Sequence, residues 1–187
     1  MTVQTSTKWT YEDYALLPED GRRHEIVDGE HYVNPAPNTK HQRVVLRLAI
    51  ELSSFVRAHR LGEVFISPID VVLSDNDIVQ PDVVFVSKDR KSLLTAANIQ
   101  GGPDLVVEVL SESNRRYDEI IKRKRYETFG VAEYWIVDPE LEIVKIHRRA
   151  TGAFERVAEI DCETGGAITT PLLPGFSLDV RDVFTSE

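Results

Sequence analysis

Residues 104–110 read Asp-Leu-Val-Val-Glu-Val-Leu, an apolar run with an acid in its interior. Side chains alternate along a strand, so Asp104, Val106, Glu108 and Leu110 share one face and Leu105, Val107 and Val109 the other. A carboxylate buried unpaired in such a strand costs on the order of several kcal/mol. Glu108 therefore needs a cation, a base or a metal, unless the strand end opens to solvent. Asp82 follows Pro81 and heads a second apolar run, 83–86. Asp after Pro is also a common turn pairing. Two carboxylates opening neighbouring strands are the usual donors for Mg²⁺, with Mn²⁺ as a substitute; Mg²⁺ favours one or two carboxylates and keeps several waters. An ion held this way polarises a phosphoester and lowers the pKa of water.

The third element is a basic run, Lys122-Arg123-Lys124-Arg125. Wound as a helix, Asp118, Ile121, Lys122, Tyr126 and Phe129 fall along one stripe. Lys124 lies opposite, Arg123 points away from the centre of the stripe, and Ile120 does not fit it. Lys122 is thus the cation of the run that faces the sheet, where it can orient an attacking water. Tyr126 and Trp135 read as packing residues. His41 falls in the first turn of a long helix, whose N-terminus favours anions, and can orient phosphate or water. The alternative is a partly buried helix-start histidine. Arg115, Arg116, Arg123 and Lys124 are candidates for phosphate contacts. No phosphate-loop or Rossmann glycine pattern, nucleophile elbow or zinc spacing occurs.

These residues need elements to carry them. Thr10, with Asp13 three residues on, caps a short helix through Leu17. Residues 23–27 and 31–33 form a hairpin about Asp28-Gly29. Apolar residues at three- and four-residue spacing make 38–60 the longest helix, with Gly62 as its cap. Strands follow at 63–67, 70–73, 78–86 (an edge or a bulge at Pro81) and 104–110, with a helical turn within 93–99. A second long helix starts at Asn114 or Tyr117 and ends at Phe129 before Gly130. Residues 133–137 and 143–148 form a hairpin, and weaker strands lie near 154–160 and 167–170.

With 187 residues, 42% hydrophobic and 28% charged, the chain fits one domain over 1–187. Cys162 is the only cysteine, which excludes an intramolecular disulfide or a cysteine metal cluster and suits a reducing compartment. The polar opening, Met1 to Trp9, lacks a signal-peptide core, and no apolar run approaches a membrane span. A cytoplasmic protein is expected. The net charge of −9, from 22 Lys+Arg against 31 Asp+Glu, weighs against nucleic-acid binding. Net charge describes the whole surface rather than one groove, and clustered metal-binding carboxylates add to the acidic count.

Several stretches together resemble the Uma-type restriction-endonuclease family, a branch of the PD-(D/E)xK nuclease superfamily. They are residues 24–30 (HEIVDGE), the His41 region, Gln80-Pro81-Asp82-Val83, residues 103–111 (PDLVVEVLS), Lys122 through Pro139, and Leu173-Pro174-Gly175-Phe176. The resemblance implies an α/β (α+β) restriction-endonuclease-like core, a mixed sheet flanked by helices, with extra N- and C-terminal strands. It implies DNA as partner, Mg²⁺ on Asp82 and Glu108, and a lysine assisting the attacking water. The simplest motif has a lysine two residues past the second acid, where this chain has Leu110; the lysine of the family is displaced to the next helix, here Lys122. Glu25 would be a further acid, helping a second metal; otherwise it is a surface glutamate. The expected function is a Mg²⁺-dependent endonuclease, a homodimer through strand edges after Glu133. The alternatives are a non-catalytic binding or assembly module on the same fold and a hydrolase of another phosphoester.

Overall fold

The computed structural model describes residues 8–18, 20–111 and 115–185. Thr10 caps α1 (Tyr11–Ala15), closing a capping box with Asp13. β1 (Arg23–Val27) and β2 (Glu30–Asn34) pair about Asp28 and Gly29, both at positive φ, as the hairpin signal requires. In α2 (Thr39–His59), the Asn38 side chain accepts the His41 N–H, and Val44, Leu48, Leu52 and Val56 are buried along one stripe. The helix ends on Arg60, which adopts the left-handed conformation expected of Gly62. Gly62 instead opens β3 (Gly62–Ile66), where a Cβ would stand 2.1 Å from the Val86 carbonyl.

The strand expected over 78–86 is two strands in two sheets. β4 (Val71–Ser74), β5 (Asp77–Val79) and the short β7 (Ile99–Gln100) join the first hairpin in the order β2-β1-β5-β4-β7. β6 (Val83–Ser87) belongs to the second sheet, so the chain changes sheets across 80–82, where Pro81 has no N–H to donate to either ladder. The helical turn expected within 93–99 forms earlier, as a 3₁₀ helix over Lys88–Leu93.

The second sheet is mixed. β8 (Leu105–Val109) pairs antiparallel with β6 and parallel with β9 (Glu133–Asp138); β10 (Ile143–Ala150) and β11 (Ala153–Asp161) extend it antiparallel. The full order is β11-β10-β9-β8-β6-β3. α2 covers one face, with Val83, Leu105, Val107 and Trp135 in its core. Val84, Val106, Leu110, Tyr126 and Tyr134 form a second core on the other face. Both faces are buried, which is why β8 reads as a near-continuous apolar run.

The helix expected up to Phe129 is a π-helical stretch, Tyr117–Lys122, running into α3 (Arg123–Thr128); Asn114 lies outside the described residues. Wider π winding keeps Asp118, Lys122 and Tyr126 inward but leaves Ile121 exposed, off the stripe drawn for a regular α-helix. The chain closes with β12 (Ala167–Ile168), β13 (Leu178–Asp179) and α4 (Val180–Phe184), the last two not anticipated. No helix among the described residues is long and apolar enough to cross a membrane.

Candidate active site

Glu108 sits on the inward face of β8 at 1% exposure, so the strand end does not open to solvent. One turn of π-helix above it, the Lys122 ammonium stands 3.0 Å from Glu108 Oε1, 2.9 Å from Glu25 Oε1 and 3.4 Å from Asp118 Oδ1. It also lies 5.2 Å from the centre of the Tyr117 ring. Tyr126, one turn further, donates its hydroxyl proton to Glu108 Oε1 at 2.6 Å. Glu25 is pinned from the far side: Asn34 Nδ2 donates to Oε2 and the Gln80 N–H to Oε1.

Asp82 stands at the entry to β6, where the sheet change leaves its carboxylate directed into the fold. Arg23 donates to Oδ1 at 2.9 Å; the Val109 N–H, at 2.9 Å, and His41 Nε2, at 3.2 Å, share Oδ2. Since Oδ2 accepts, Nε2 carries the imidazole proton, and the buried Nδ1 of His41 is without a hydrogen-bond partner. Asp82, His41, Glu108, Val109 and Asp118 line a cavity of about 290 Å³, with Pro139 and Glu140 on its rim. Arg115 is held near that rim by Asp138 at 2.5 Å.

The electrostatics follow from the count of charges. Burial would raise the Asp82 carboxyl, but His41, Arg23 and the Val109 N–H hold it below its ordinary value. Burial works against the Lys122 charge, yet Glu108, Glu25 and Asp118 outweigh it and hold the ammonium's pKa well above ordinary. One ammonium cannot satisfy three carboxylates. Glu108 is therefore pushed up to about 7, by burial first and then by Asp82 and Glu25 against the pull of Lys122. Asp118 is pushed well up for the same reasons.

A family described as "Putative restriction endonuclease" (Uma2) matches residues 11–181. The chain belongs to this family. A solved structure described as a putative nuclease belonging to DUF820, from Anabaena variabilis ATCC 29413, is 20% identical. It aligns over 94% of this chain and 97% of its own, with a TM-score of 0.78. That likeness shows the fold, which is restriction-endonuclease-like as the residues of the Uma2 family implied. No curated protein matches the chain.

All five residues singled out in the sequence, Glu25, His41, Asp82, Glu108 and Lys122, meet at this one place. Their positions differ. Asp82, His41 and Glu108 face the cavity, while Lys122 and Glu25 stand behind Glu108. Glu25 is fully buried rather than on the surface. Tyr126, read as packing, bonds a site carboxylate, whereas Trp135 does pack, in the core under α2. Sequence reasoning missed Arg23, Asn34 and Asp118. Asp118 was legible, lying on the same helical stripe as Lys122; the other two act through contacts no local pattern reveals. Of the proposed phosphate contacts, Arg116 and Lys124 are exposed, and Arg123 is bonded to the Glu119 carbonyl.

Four buried carboxylates face two fixed cations, Lys122 and Arg23, and one imidazole, so negative charge is in excess. Asp118 Oδ1 has no hydrogen-bond partner. Hard oxygen donors in charge excess fit a divalent cation such as Mg²⁺. Among the described residues, however, no three His, Cys, Asp or Glu side chains are already drawn together around one metal position.

Proposed function

We propose that the protein is a Mg²⁺-dependent nuclease that hydrolyses DNA phosphodiester bonds at the Asp82–Glu108 cavity. The observation that carries this reading is the excess of buried carboxylate around a single lysine, on the wall of a cavity sized for one phosphodiester link. Asp82 and Glu108, with a backbone carbonyl near Val109, would hold the ion. When bound, Mg²⁺ would supply Lewis-acid polarisation of the phosphate and acidify water.

The residues of the chain do the rest. Lys122 stays an ammonium at neutral pH, so it acts through its charge and as a hydrogen-bond donor to the carboxylates around it, not as a base. It offsets charge building on the attacked phosphate and fixes Glu108. Glu25 is a positioning residue for Lys122: its two oxygens are taken up by Lys122, Gln80 and Asn34, which argues against a place in the metal shell. Arg23 and the Val109 N–H keep Asp82 ionised and aimed. His41, whose Nδ1 has no hydrogen-bond partner and is left as an acceptor, orients the water.

A binding module without catalysis is the second reading, favoured by the net charge of −9 and by the cationic partners already on Asp82 and Glu108. Calorimetry with Mn²⁺ and DNA cleavage, each on parent and Glu108→Ala, separates the two. The nuclease reading expects saturable Mn²⁺ binding and cleavage in the parent, both lost in the variant. A parent that binds no Mn²⁺ and cuts no DNA leaves the binding module.

A further inference from the structure

Beside the carboxylate cavity lies a larger cleft of about 790 Å³, within the range of small-molecule sites. Its walls come from the edges of both sheets: Val33 of β2 on one side, Ile66 of β3 on the other, with Pro35, Pro37 and Pro68 between them. Val33 and Ile66 are 45% and 51% exposed, an unusual outlay of large apolar surface beside a charged site. Arg23 and Asp82 line both compartments, and Arg23 spans the boundary, donating to Ser67 Oγ and to Asp82 Oδ1. The cleft therefore opens onto the carboxylate that would hold the ion.

We infer that this cleft takes an unpaired nucleobase of the strand being cut, so that the substrate is single-stranded DNA rather than intact duplex. The inference rests on the nuclease reading for what occupies the neighbouring cavity. Three observations carry it. The cleft is apolar and walled by proline faces, suited to the flat face of a base, while the exposed Gln42 amide at its edge can both donate to and accept from a base edge. Arg22 lines it too, within reach of a flanking phosphate. A net charge of −9 puts duplex phosphates at an electrostatic disadvantage, so contacts to a base carry more of the affinity. Finally, Asp82 and Glu108 are only 2% and 1% exposed where they line the cavity, a recessed position that a flexible strand with an unstacked base reaches more readily than a stacked, paired one.

The test is fluorescence anisotropy of one oligonucleotide, single-stranded and as a duplex, with Ca²⁺ in place of Mg²⁺. It compares the parent with Ile66→Ser and with Val33→Ser, both at exposed edge positions, after checking that their unfolding midpoints match. The single strand is expected to bind at least about tenfold more tightly than the duplex, and each variant to weaken it about fivefold or more, as for the loss of one aliphatic side chain's contact with a base. Duplex binding should not change. Equal binding of the two forms, or variants without effect, overturns the inference. Hydrolysis of bis(4-nitrophenyl) phosphate by the parent in Mg²⁺ reads the underlying reading separately. Turnover without strand preference sinks the cleft and keeps the nuclease; strand preference without turnover does the reverse.

Discussion

Replacing Lys122 by Met removes one charge and keeps most of the apolar stem. The ammonium lies 2.9, 3.0 and 3.4 Å from Glu25, Glu108 and Asp118, all within the protein interior. Removing one partner of a buried pair costs about 3–5 kcal/mol, because the other charge is left without compensation. Here three carboxylates are stranded, and the cheapest relief is protonation. Glu108, already pushed up to about 7 in the parent, rises further without Lys122. The folded state then holds protons that unfolded carboxylates, with pKa values near 4.3, have released. A state that binds extra protons is favoured at low pH, so the variant loses stability as pH rises through about 4.3 to 7 and beyond. Urea unfolding at pH 8 should show Lys122→Met less stable than the parent by about 3–5 kcal/mol. At pH 5.5 the deficit should shrink by at least about 1.4 kcal/mol, the equivalent of one pKa unit. Adding Glu108→Gln should recover part of the loss at pH 8. A deficit below about 1 kcal/mol, independent of pH, would refute the claim that Lys122 holds these carboxylates together.

Tyr126→Phe deletes the hydroxyl that donates to Glu108 Oε1, and urea unfolding should show a loss of about 2 kcal/mol, as for a hydrogen bond to a charged group. His147, half-buried on β10, is held down to about 4 by burial and then by the charges of Arg123, Arg156 and Lys145. The unfolded chain takes up this proton near 6.5 while the folded chain refuses it, so stability falls as pH drops from 6.5 towards 4. Allowing for screening of a half-exposed ring, the fall is about 1.5 kcal/mol, and chemical denaturation of His147→Phe across that window should lack it. Gly62→Ala would place a Cβ 2.1 Å from the Val86 carbonyl at a φ of +155°, costing about 3 kcal/mol in a thermal melt analysed with the parent's unfolding enthalpy.

Much of the framework was legible because it is local. Asp28-Gly29 dictates its hairpin through the positive φ both residues accept, and the apolar stripe of α2 follows from spacing alone. Glu108 was legible as an anomaly, a charge in a strand buried on both faces. Lys122 emerged from a regular helical wheel, although the segment is π-wound; the 118, 122, 126 spacing survives that winding and Ile121 does not. The change of sheet at Pro81 reads in the sequence only as an edge or a bulge, because which ladder a strand joins is decided by partners far along the chain. For the same reason the partners of the acids, Arg23 to Asp82 and Asn34 to Glu25, had no local signal. The five residues of α4 are too few to show a period.

Single-turnover cleavage of DNA by the parent and Asp82→Ala decides whether Asp82 and Glu108 form a Mg²⁺-dependent phosphodiesterase site. With Mg²⁺ the parent should cut and the variant should be slower by about two orders of magnitude or more, as when a group stabilising transition-state charge is removed, and EDTA should silence both. An Asp82→Ala protein that cuts as fast as the parent, or a parent that cuts equally well in EDTA, would contradict that assignment.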